Sequence, residues 1–239
     1  MMSNIKALTQ RELMATFYSP VAYVVAAIFL IASGYLFMTF TLVEGKEATF
    51  REMLQSMAWV LVFAIPLLTM RVIADEYASG TIETLMTAPI SDVEVVLGKF
   101  FGVLLFYLAL LATTILHVVL LYRYGGTDVG ALAYGYFGML LLGGLYVAIG
   151  VFASALTRYQ LVAALIGAGI LALLTMLVDS FATWYGGAWR SVLGYINIFY
   201  QFEDFTKGIL DTKAIVFFLS GTAFFLFLTV KVMESKRWR

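Results

Sequence analysis

The stretch from Asp75 to Lys99, DEYASGTIETLMTAPISDVEVVLGK, decides how this chain is read. It is polar and charge-bearing, and long apolar runs lie on both sides of it. Between two membrane spans it must sit in water, yet it carries helix signals that an idle connector would not need. Ser79-Gly80 marks a turn, and Thr81 can cap a short helix, TIETLMTA, that Pro89 ends. Ser91, with Glu94 three residues later, fits a capping box at the start of the next helix. The expected product is a short helix over Gly80–Ala88 held against one membrane face, presenting Ile82, Leu85 and Met86. Glu76, Glu83 and Asp92 rim that apolar surface with charge, as on an interaction site. Folding of the loop back onto the bilayer is the plainer alternative.

The rest of the chain sets this stretch apart. It is 62% hydrophobic and 13% charged, with a mean hydropathy of +0.94. Soluble domains carry roughly 25% charged residues, so too little polar surface exists here to cover an apolar interior. The class is an integral membrane protein. At 239 residues it reads as a single transmembrane domain over 1–239, and six spans of about 20 residues would use roughly half of it. The zero net charge says nothing about partners. The absence of cysteine excludes disulfides, thiolate metal sites and a cysteine nucleophile.

Working outward, residues 3–18 have helix-forming composition with apolar residues scattered around the helix, which suits an interfacial position. Lys6 and Arg11 precede an apolar run, as in a signal peptide. The run Val21–Val43 is too long for that and lacks a cleavage pattern, so it reads as a retained first span. Ser19-Pro20 turns the chain into it. The spans are expected at about 21–43, 55–73, 98–122, 131–156, 161–179 and 214–231. Pro66 removes a backbone hydrogen bond from the second and predicts a kink. Gly98 and Gly102 give the third a GxxxG spacing that permits close helix approach. The connector 180–213 is rich in aromatic residues that favour the lipid–water interface. Helices are required because each satisfies its own backbone, and the lack of period-two alternation excludes a β-barrel.

With the N-terminus inside, nine Lys and Arg residues fall on the inner face and six on the outer. The bias predicts that both termini and the 75–99 loop are cytoplasmic. Catalytic patterns are missing. The only histidine is His117, so HExxH sites and His-based triads fail, and no GxxxxGK[ST] phosphate loop is present. His117 fits a proton relay or gate, or a polar residue bonded to a neighbouring helix, and Asp179 lies near the end of the fifth span. Arg71 and Asp75 are spaced as an i, i+4 pair.

Three stretches resemble the permease subunits of type-2 ABC exporters, in the branch of the gliding-motility permease and the permease of nitrous-oxide-reductase maturation. They are RELMATFYSPVAYVVAAIFLIASGYLF (11–37), DEYASGTIETLMTAPISDVEVVLGKFFG (75–102) and YQFEDFTKGILDTKAIVFFLS (200–220). The resemblance implies an all-α membrane protein: six transmembrane helices after an interfacial helix, a coupling helix between spans 2 and 3, and re-entrant helices between spans 5 and 6. It implies two permeases, as a homodimer or heterodimer, paired with two cytoplasmic ABC ATPase subunits, with room for an accessory periplasmic or membrane subunit. Lipid surrounds such a chain, and nucleic acid has no place in it. The ATPase contact would comprise Glu76, Gly80, Thr81, Ile82, Glu83, Leu85, Met86 and Pro89. ATP and Mg would reside on the partner, leaving this chain without cofactor or catalysis in the bacterial inner membrane. The alternative is a stand-alone carrier or channel, for which paired broken helices in two repeated halves are expected. Pro66 has no such counterpart.

Overall fold

The computed structural model describes residues 2–41, 50–81, 90–124, 129–177 and 194–237. All the regular structure among them is helical. Helix α1 is Met2–Phe17, and α2 is Pro20–Leu36, continued by a π-helical turn at Phe37–Thr41. Helix α3 is Arg51–Thr69 and α4 is Ala74–Ser79. Helices α5 and α6 are Asp92–Thr113 and Ile115–Tyr124, and α7 is Val129–Leu156. Helix α8 is Gln160–Ala172, continued by a π-helical turn at Leu173–Leu177. Helix α9 is Ile198–Thr206 and α10 is Thr212–Arg237.

Five stretches among the described residues are long and apolar enough to cross a membrane: Pro20–Thr41, Arg51–Ser79, Asp92–Arg123, Val129–Leu156 and Thr212–Lys236. The remaining expected span, the fifth at 161–179, appears as the shorter apolar helix Gln160–Met176. Its last expected residues, with Asp179, lie outside the described set. So do residues 180–193 of the connector 180–213 expected to hold re-entrant helices; its described part, 194–213, contains α9.

Helix α7 is the central column. It is buried on nearly every side, and α3, α5, α8, α9 and α10 all pack on it. Its glycines explain why so many neighbours fit. A Cβ at Gly150 would sit 2.1 Å from Thr69 Oγ1, and one at Gly143 2.1 Å from the Tyr107 ring. Tyr107 crosses that gap and donates its hydroxyl to the Met139 carbonyl at 2.8 Å. Helices α2 and α10 leave most of their length open, as peripheral spans in lipid do.

Two breaks in the helices have visible partners. After Pro66, α3 runs only to Thr69, and the chain turns through residues 70–73 before α4. The buried Ser154 of α7 closes this break. Its Oγ accepts from the Ile73 and Ala74 amides, both at 3.0 Å, and donates to the Met70 carbonyl at 3.1 Å. Ser154→Ala therefore strands two buried amides, and unmade buried hydrogen bonds cost about 1–3 kcal/mol. We expect a lowered thermal midpoint in detergent, read by tryptophan fluorescence, with membrane insertion unchanged. The second partner is Asn197, which caps α9 by accepting from Phe199 N at 2.8 Å and donates to the Thr175 carbonyl at 3.0 Å. Glu203 of α9 pairs with Arg51 at 2.8 Å and Lys207 at 2.9 Å. The Lys207 hydrogen bond and charge, then the Arg51 charge, hold its carboxyl below the usual carboxylate range against some desolvation.

His117 has no hydrogen bond from Nδ1 among the described residues, although the atom is buried. Its ring lies 4.8 Å from that of Phe37. Among the described residues the histidine meets the π-helical extension of α2 by ring packing.

Candidate functional site

The loop that dominates the sequence begins and ends on structured ground, although residues 82–89 lie outside the described set. With them lie Ile82, Glu83, Leu85, Met86 and Pro89. At the near end, α4 stops at Gly80, whose φ of +73° is a left-handed value that glycine adopts without a Cβ penalty. Ser79 and Thr81 share a hydroxyl contact at 2.9 Å just there.

At the far end the expected capping box is present. Glu94 N donates to Ser91 Oγ at 3.3 Å, and Ser91 N donates to Glu94 Oε2 at 2.9 Å. The other Glu94 oxygen accepts from Asn4 Nδ2 at 3.3 Å, so this cap also receives α1.

Helix α1 runs parallel to α5 in a fixed register. Asn4 meets Glu94, Leu8 meets Gly98, Glu12 meets Gly102 and Phe17 meets Phe106. The GxxxG spacing thus receives the N-terminal helix. A Cβ added at Gly98 would fall 2.5 Å from Leu8 Cβ, and one at Gly102 2.6 Å from Glu12 Cβ. The α5–α6 stretch has 32 residues, about a dozen beyond what a bilayer core needs. Its first turns are therefore free to pair with α1 outside the hydrocarbon.

The two ends are cross-linked by a buried ammonium group. Lys99 of α5 is 2% exposed, and its Nζ lies 2.9 Å from Glu76 Oε1 and 3.2 Å from Glu12 Oε2. Its hydrogen bonds go to Glu12 and to the Val72 carbonyl at the α3–α4 break, while Glu76 faces it as an ion-pair partner. Glu76 Oε1 also receives Arg11 Nη2 at 2.9 Å. Next to this cluster Asp75 pairs with Arg71 at 2.9 Å and accepts from Gln160 at the start of α8. Behind it Lys236 lies 4.2 Å over the Tyr77 ring and donates to the Ala155 carbonyl at 2.8 Å.

Of the residues singled out in the sequence, Gly80 and Thr81 stand at the mouth of the loop. Glu76 points inward, to Arg11 and Lys99. Arg71 and Asp75 form the expected pair. Glu12, Lys99 and Ser154 were not singled out. Lys99 carried a readable signal, an ionisable group inside an apolar helix, which needs a partner by default. Among the described residues no group of three or more His, Asp or Glu side chains could hold a metal ion. The arrangement fixes α1, α4 and α5 as one unit at the two ends of residues 82–89.

Carried on five apolar helices long enough to cross a membrane, this unit belongs to a multi-pass membrane protein. The family model for ABC-2 family transporter proteins matches residues 6–233, and the chain belongs to that family. It is thus a multi-pass membrane subunit of the ABC transporter type, whose family is not itself catalytic. No curated protein matches the chain in direct sequence comparison.

Proposed function

We propose that this chain forms the translocation path of an ATP-driven exporter in the bacterial inner membrane and is moved by a separate pair of ABC ATPase subunits. The contact is the segment 80–89, with Thr81, Ile82, Glu83, Leu85, Met86 and Pro89 against the ATPase and Gly80 as its hinge. Glu76 acts from inside, as the link from that segment to Lys99. The 75–99 stretch and both termini face the cytoplasm, and a second permease, identical or related, completes the path. Within the family we place the chain nearest the gliding-motility and nitrous-oxide-reductase-maturation permeases, on the three stretches quoted above.

The observation that carries this reading is the anchoring of the segment at both ends to one rigid unit. A flexible connector would dissipate a push from outside. Here displacement at Gly80 or Ser91 is passed through Lys99 and the capping box to α1, α3 and α5 together. ATP supplies the bias, because only a ligand with different affinity for two states shifts them.

Glu83→Arg and Ile82→Pro should each abolish co-purification with the cognate ATPase while membrane insertion stays unchanged. Retention of the ATPase by both variants would remove segment 80–89 as the contact. A chain purified intact with no ATPase at all would favour the stand-alone carrier.

A further inference from the structure

We propose that the cavity enclosed by α1, α2, α3 and α4 holds the headgroup of a phosphatidylethanolamine-type lipid as a resident ligand. The cavity has a volume of about 330 Å³, within the range of small-ligand sites, which begins near 300 Å³. Its position fits a headgroup. Pro20, where one membrane-crossing stretch begins, and Leu68, near the end of another helix, form part of its apolar lining.

Its charge selects the class. Arg11, Arg71 and Lys99 line it together with Glu12, Asp75 and Glu76, three charges of each sign. A simple anion would meet the carboxylates and a simple cation the guanidinium groups, whereas an inner salt satisfies both. Both guanidinium groups are partly open, at 54% and 39% exposure. Each has five N–H donors, of which Arg71 directs two to Asp75 and Ser19 and Arg11 one to Glu76. Donors therefore remain for a phosphate. On the other side stand Asp75, 34% exposed, and Glu76, whose buried Oε2 has no hydrogen-bond partner among the described residues. A primary ammonium can donate to these carboxylates, and the quaternary ammonium of a choline lipid cannot.

The acyl chains also have a route. Val24, Ile28, Ile31 and Tyr35 follow Pro20 along one face of α2, and all four are exposed. Such a lipid would fill the angle between α1 and the first span, beside the unit described above.

The test uses the full chain in nanodiscs of equal parts phosphatidylethanolamine, phosphatidylglycerol and phosphatidylcholine, then native mass spectrometry after transfer to detergent. One phosphatidylethanolamine should be retained about ten-fold over the other lipids, a discrimination that charge-assisted hydrogen bonds supply. Ala15 lines the cavity and is exposed, so Ala15→Trp fills the space without removing a charge. That variant and Arg71→Gln should both lose the preference. Retention of phosphatidylglycerol as strong as that of phosphatidylethanolamine would overturn the zwitterion assignment. Undiminished retention by Ala15→Trp would overturn the site. Displacement of the lipid by equimolar glycerophosphoethanolamine would make a soluble compound, not a lipid, the ligand. No ATPase enters this measurement, so its outcome is separate from that of the coupling reading.

Discussion

Lys99→Met should lower the stability of the chain more than any other single change to the charges clustered around the α4–α5 loop. The ammonium is 2% exposed, and its two carboxylate partners, Glu12 and Glu76, are 12% and 13% exposed. Removing one partner of a buried ion pair typically costs about 3–5 kcal/mol, because the other charge is left uncompensated. Here two carboxylates are left, with Arg11 the remaining cation on Glu76. For a chain of this size about 3 kcal/mol corresponds to a fall of roughly 6–12 °C in thermal midpoint. The diagnostic variant is the triple change Lys99→Met, Glu12→Gln and Glu76→Gln. It removes the stranded charges together and should recover much of the loss, since neutral replacement of a buried ion cluster is often tolerated. Tryptophan fluorescence in detergent reads both. Equal midpoints for Lys99→Met and the unaltered chain would show that the ammonium carries no structural load. Arg11→Gln is the internal contrast: Arg11 is 54% exposed, and exposed pairs contribute little.

What was legible in the sequence was local. The Ser91–Glu94 box, the Gly80 turn and the Arg71–Asp75 pair each lie within a few residues, so spacing alone places their atoms. The apolar runs likewise showed where membrane-crossing helices lie, because a span needs nothing but length and hydropathy. The fifth was less legible: its apolar run extends past Leu177, but the described helix widens into a π-helical turn at Leu173–Leu177. The site itself depends on distant pairs. Lys99 and Glu12 are 87 positions apart, and Ser154 and Ala74 are 80 apart. Residue type shows that a buried lysine or serine needs a partner, but not which of several carboxylates or open amides supplies it. The GxxxG spacing was readable as a close approach, yet nothing in it names the approaching helix. The parallel register of α1 on α5 does. That register also alters the charge count used for orientation, since Lys99 is buried against carboxylates and not an open surface charge.

Gly98→Leu is the second large effect expected, and it separates docking from transmission. A Cβ at this position lies 2.5 Å from Leu8 Cβ and 3.5 Å from the Ile5 carbonyl oxygen. Because the obstacle is the base of a side chain on a helix, no rotamer change relieves it, and α1 must move away. Overpacking of this kind costs about 1–3 kcal/mol. Retreat of α1 draws Glu12 from Lys99 and Asn4 from Glu94, so the two anchors of the loop lose their common support while residues 82–89 are untouched. The variant should therefore still bind the ATPase but lose nucleotide-dependent changes in the membrane helices. Limited trypsinolysis reports the first step. Cleavage after Lys6 or Arg11 should rise about ten-fold, in step with the population of the opened form. Gly34→Leu supplies the control, because a Cβ at Gly34 meets nothing within 4 Å. If both leucines leave cleavage at the level of the unaltered chain, the α1–α5 contact is not what holds the N-terminal helix. If Gly98→Leu alone raises cleavage and also releases the ATPase, α1 belongs to the docking surface and not to the relay behind it.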